Sequence, residues 1–176
     1  MHAPRSGEAG TSMLEVVVAS GLLVTLMAGL MSLVSVSITT TENQGHLAAR
    51  TTEYAQDKVE QLMALAYGDA TSDTRVFPAT NTGGSGLAIG GTSDPDATIV
   101  TATQTYVDYL KENGDLSAAS GVTPPTDWFY KRVWKIETPA GSTNLKQITV
   151  AVTVARGFGG AYKPTSYLAV LKTNPF

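Results

Sequence analysis

An α+β fold, one long N-terminal helix laid on an antiparallel sheet, is what this sequence predicts, and three observations predict it. From Met13 to Ile38 the residues are almost wholly apolar, with Glu15 as the only charge. A helical spacing of apolar residues continues beyond that stretch to about residue 67. From residue 105 onward apolar and polar residues alternate, the period of a strand rather than a helix.

Residues 1–10 (MHAPRSGEAG) are short and polar, with Arg5 as their only firm positive charge. A secretory signal carries its apolar region before the cleavage site, and this segment has none. As a helix, residues 13–38 span roughly 39 Å, more than the hydrocarbon core of about 30 Å. The stretch is far longer than a signal's apolar region of about 7–15 residues, so it predicts a single membrane span. A polar joint follows at 39–45 (TTTENQG). Leu47, Thr51, Ala55, Val59, Leu62 and Ala66 then recur at helical steps on one face, while Glu53, Gln56, Asp57, Lys58 and Glu60 fall largely off it. Gly68, after Tyr67, is the expected stop. One helix from about 12 to 67 thus has two environments: residues 11–38 form a transmembrane or filament-core half, and residues 39–69 an amphipathic half.

Residues 70–176 read as a β-rich globular head. Residues 78–98 are loop-like, with Gly, Ser, Thr, Asp and Pro clustered. Thr105–Leu110 alternates and meets Asn113-Gly114, a hairpin turn signal. A second loop, 117–126, ends in Pro124-Pro125. Three runs follow, Trp128–Glu137, Asn144–Ala155 and Thr165–Leu171, with Pro139–Ser142 as the hairpin between the first two. Ile148, Val150, Val152 and Val154 share one face of the middle run, against Thr149, Ala151 and Thr153 on the other.

The formal net charge of −3 and only 12 Lys and Arg argue against nucleic acid, whose binding requires many neutralised phosphates. With no cysteine there is no disulfide or thiolate site, and the two histidines, His2 and His46, are too few for a His-rich metal site. His46 reads as an exposed helix residue. Asp94-Pro95-Asp96 supplies two carboxylates where calcium takes six to eight oxygens. Trp128, Phe129, Tyr130 and Trp134 read as strand packing. No nucleophile–base pair stands out, so no enzyme activity, cofactor or metal is expected.

The most informative segment is Gly10-Thr11-Ser12-Met13-Leu14-Glu15. It resembles the processing site of type IV prepilins and pseudopilins: a short polar leader ending in Gly, then a long apolar stretch with Glu at its fifth position. Thr11 stands where the family most often has Phe, and Ser32 stands in place of a common helix Pro. The resemblance implies a pilin-like fold, removal of residues 1–10 by a prepilin peptidase after Gly10, and Thr11 as the new, often methylated, N-terminus. The physical logic is direct, since cutting before the apolar segment keeps the anchor. A carboxylate at membrane depth costs about 2.5–3.5 kcal/mol and takes a partner. For Glu15 that partner is the α-amine of a neighbouring subunit, which makes it the assembly residue. Gly21, Ala28 and Gly29 would let apolar helices approach closely.

Tyr130–Ile136, a turn, then Leu145–Val152 resembles the C-terminal half of V-type minor pilins and of I-type secretion pseudopilins. These carry an Arg-x-Trp-x-Ile strand followed by Lys-x-Ile-Thr-Val-x-Val. Together the resemblances imply a minor pilin of a type IV pilus, assembled into the filament or initiating it. The alternatives are a pseudopilin of a type II secretion system and a single-pass anchored adhesive or binding protein. Implied partners are other pilins or pseudopilins, the inner-membrane assembly platform and, before assembly, membrane lipid. The implied location is the inner membrane, with the head outside the cytoplasm, and then an extracellular or periplasmic filament.

Overall fold

The computed structural model describes residues 12–80, 83–117, 122–157 and 163–174. Its first element, α1, runs Met13–Ala64, 52 residues. It is followed by β1 (Gly90–Gly91), a short 3₁₀ turn (Gln104–Tyr106), β2 (Val107–Leu110), β3 (Tyr130–Glu137), β4 (Leu145–Val154) and β5 (Thr165–Thr173). Two compact units share the chain, Met1–Glu42 and Asn43–Phe176.

In the first unit the described residues are helix alone. Ser12 begins it: the Leu14 amide donates to Ser12 Oγ at 3.3 Å, and the Glu15 and Val16 amides donate to the Ser12 carbonyl. The polar joint does not break the helix. Thr39, Thr40 and Thr41 donate their hydroxyls to the carbonyls of Ser35, Val36 and Ser37, four residues back. Ser20 and Thr25 do the same nearer the start of the helix. A hydroxyl satisfied on its own helix is compatible with apolar surroundings.

In the second unit the remainder of α1 lies on the sheet, burying Thr51, Tyr54, Ala55, Lys58, Val59 and Leu62. The fold is therefore α+β, a long apolar N-terminal helix whose later part packs on an antiparallel sheet. The helix ends at Ala64, earlier than Gly68, so that glycine is not its stop. No basic residue lies in the last turn. Instead Lys172 Nζ donates to the Met63 carbonyl at 2.6 Å. Lys146 Nζ reaches the carbonyls of Tyr67 and Leu87, both at 2.7 Å. Lysines from β5 and β4 thus supply the positive charge that a helix C-terminus favours.

The sheet order is β1-β3-β4-β5, and β2 also pairs with β3. All pairs are antiparallel, and β3 and β4 match over their length from Tyr130↔Val154 to Glu137↔Gln147. Expected strand edges shift by one or two residues: the run from Thr105 opens as the 3₁₀ turn, β3 starts at Tyr130 rather than Trp128, and β5 continues to Thr173. Ile148, Val150, Val152 and Val154 are fully buried with Tyr130, Trp134, Ile136 and the α1 residues in the main core. The opposite face is not left to solvent. Ile99, Val107, Tyr109, Val133 and Ala151 form a second cluster there, with Trp128 against it. β1, unmarked in the expected 78–98 loop, needs Gly91: its φ is +83°, and a Cβ there would stand 2.1 Å from the Trp134 carbonyl oxygen.

Candidate functional site

Two features of the chain are chemically unusual, one in each unit. The first is the apolar surface of α1. Every large apolar side chain from Met13 to Ile38 is at least 54% exposed. They surround the helix, and a helix apolar all round belongs in a membrane or a protein interior rather than in water. The helix is long and apolar enough to cross a membrane. Glu15 sits in its first turn, where a carboxylate is favoured by the helix dipole, and it has no partner among the described residues. An added Cβ at Gly21 or Gly29 would meet nothing within 4 Å. Ala28 is likewise exposed. Gly10 and Thr11, the expected cleavage pair, lie outside the described residues.

The second feature is a buried ion cluster in the head. Asp108 on β2 and Arg132 on β3 are directly paired in register. Arg132 Nε donates to Asp108 Oδ1 at 2.6 Å, and a second guanidinium N–H to Oδ2 at 2.8 Å. Lys58 Nζ on α1 meets Oδ2 at 2.6 Å. Lys58 also donates to the Thr74 carbonyl at 2.6 Å and to Gln61 Oε1 at 3.0 Å, so its three N–H bonds have three acceptors. It lies 4.6 Å from the centre of the Trp134 ring. Burial raises the Asp108 carboxyl, but Arg132 and Lys58 outweigh it and hold the group below the ordinary carboxylate range. Burial dominates at Lys58 and lowers it to about 8, against the pull of Asp108. An ionised Asp108 held by two cations is a tie between helix, sheet and the 74 loop, not a proton donor or a nucleophile.

The charge of Lys58 argues for a place off the apolar stripe, yet the residue is fully buried on it. A signal is present in the sequence, since 51, 55, 58 and 62 are helical steps of four, three and four. Asp108 and Arg132 carry no such mark. His46 is exposed, as expected. At Asp94-Pro95-Asp96 the structure brings in a cation of its own. Lys131 Nζ donates to the carbonyls of Pro95 and Ala97 at 2.8 and 3.0 Å. Burial lowers Lys131, opposed by Asp96 and Asp94. Of the aromatic run, Trp128 packs edge-on to Tyr109, and Phe129 to Tyr130, the latter also to Tyr54.

Comparison of the chain with protein-family models, with curated proteins and with solved structures found no match.

Proposed function

We propose that this chain is a type IV pilin-like subunit, a minor pilin whose residues 1–10 are removed after Gly10 and whose α1 is drawn from a membrane into a filament. The observation that carries the reading is the pairing of Glu15 with an apolar helix surface that nothing among the described residues covers. Such a surface needs lipid first and other helices later, and a polar leader ending in glycine stands directly before it. The residues beyond position 42 form the head, which presents a surface and carries out no chemistry. Prepilin peptidase, sibling pilins and the assembly platform are the partners this reading requires.

N-terminal sequencing of the mature protein tests it first: the sequence begins at Thr11, and an intact Met1 or His2 ends the prepilin reading. Glu15→Ala tests the next step. The variant is cleaved and inserted normally but enters filaments poorly, whereas undiminished entry removes the role given to Glu15.

A further inference from the structure

A groove runs along the head between one flank of α1 and residues 73–80. It consists of two adjoining cavities. One, of about 270 Å³, is bordered by Tyr54, Asp57, Asp115 and Leu116. The other, of about 160 Å³, is bordered by Ala64, Leu65, Thr74 and Pro78. Gln61, Val76 and Phe77 belong to both.

The halves differ in chemistry. Arg75 and Arg132 reach the first half, but each guanidinium is already spent on its own carboxylate, Asp73 and Asp108. Asp57 has no ion-pair or hydrogen-bond partner among the described residues. Among the described residues the Asp115 carboxylate accepts only from the Asn113 side-chain amide, at 2.7 Å. The uncompensated charge in this half is therefore negative, carried by carboxylates on α1 and on the turn after β2. The second half is apolar apart from Gln61, whose Oε1 already accepts from Lys58, and Thr74. Thr74 is 3% exposed, and its hydroxyl has no hydrogen-bond partner. A buried hydroxyl left alone is costly, and a bound polar group would relieve it. Phe77, 72% exposed, stands on the shared rim.

We propose that this groove binds an extended peptide segment of a partner protein, in which a lysine or arginine stands about three residues from a large apolar side chain. From Asp57 to Leu65 the chain advances about 12 Å, the length of about four residues of an extended polyproline II segment, in which side chains three apart share a face. The cation lies between Asp57 and Asp115, with its aliphatic stem on Tyr54 and Leu116. The apolar side chain enters beside Leu65, a backbone group of the segment satisfies Thr74, and Phe77 closes over the middle. The inference stands on the head alone and does not depend on the filament reading.

The test uses the full chain, isotope-labelled, in detergent micelles. The probes are three acetylated, amidated tetrapeptides: Leu-Ser-Ser-Lys, Lys-Ser-Ser-Leu and Leu-Ser-Ser-Glu. At least one lysine peptide gives saturable amide shifts confined to Gln61, Val76, Phe77 and Leu116, and the glutamate peptide gives none. Asp57→Asn combined with Asp115→Asn weakens binding at least tenfold, Thr74→Val weakens it several-fold, and Glu60→Gln on the neighbouring helix surface leaves it unchanged. Failure of both lysine peptides to saturate overturns the proposal. So does equal binding of the glutamate peptide to the unaltered chain, or undiminished affinity in the double variant.

Discussion

Asp108 carries two cations while fully buried, and the asymmetry of that arrangement decides what each substitution does. Removing the carboxylate leaves Lys58 and Arg132 buried and facing each other, the case in which breaking a buried ion pair costs about 3–5 kcal/mol. Removing Lys58 leaves a balanced Asp108–Arg132 pair and takes the donor from the buried Thr74 carbonyl and the half-buried Gln61 Oε1, at about 1–3 kcal/mol. Methionine recovers part of that by packing on Trp134. Urea unfolding therefore ranks Asp108→Asn far below Lys58→Met, and equal losses, or the reverse order, contradict the assignment of Asp108 as the hub. Lys58 also shows what limits reading at this scale. A lysine on an apolar stripe reads as solvated because its charge is expensive to bury, and only the partner on β2, 50 residues on, makes burial favourable. The Arg-x-Trp-x-Ile pattern of β3 makes sense in the same way. Arg132, Trp134 and Ile136 all face the helix, and the first two meet Asp108 and Lys58 there.

Among the elements, α1 divides by what its side chains touch. All its buried residues lie at Thr51 or later, and all of the core residues come from the second unit. The described residues before position 43 thus contribute apolar surface but none of the core. A chain comprising residues 43–176 alone is expected to be soluble without detergent and to unfold cooperatively. Its midpoint should lie within about 4 °C of the intact chain in micelles, the shift that a loss of roughly 1 kcal/mol gives in a domain of this size. Circular dichroism melts check this, and a non-cooperative or aggregated fragment shows that the first part of α1 is needed for the fold. The elements legible in the sequence are those with a long, clean period: the apolar half of α1 and the alternation of β4. The elements that escape such reading are set by contacts instead. β1 is two glycines whose strand character comes from pairing with Lys135 and Ile136 of β3, and at the end of α1 Lys172 of β5 takes the Met63 carbonyl while Lys146 of β4 takes that of Tyr67 just beyond it.

At the scale of the whole molecule, four lysines among the described residues hold backbone carbonyls in a chain without cysteine: Lys58, Lys131, Lys146 and Lys172. Lys58 pins the 74 loop to α1, the other three pin a loop or the end of α1 to the sheet, and burial is the leading cause that lowers each of them. Stability should follow pH accordingly. On the acid side Asp69, Asp73 and Asp108 sit below 3.8, where burial is outweighed by hydrogen bonds and nearby cations. Their contribution is complete above that value and disappears as pH falls through their folded values. On the alkaline side the sign reverses. The unfolded chain keeps the Lys58 proton up to 10.5, whereas the folded chain releases it at about 8. Between those values the unfolded state binds more protons, so stability rises with pH, by on the order of 3 kcal/mol at most from this residue. Tyr109 and Tyr130 are raised by burial and oppose the rise above about 10, where the unfolded phenols begin to ionise. Denaturant unfolding of the intact chain in micelles from pH 2 to 11 should therefore reach its maximum between about 8 and 10 rather than near neutrality. In Lys58→Met the rise across that window should shrink, because the largest of the lysine contributions is gone. A wild-type profile that falls steadily above pH 8, or a variant with the same rise, means that Lys58 does not titrate as its surroundings require.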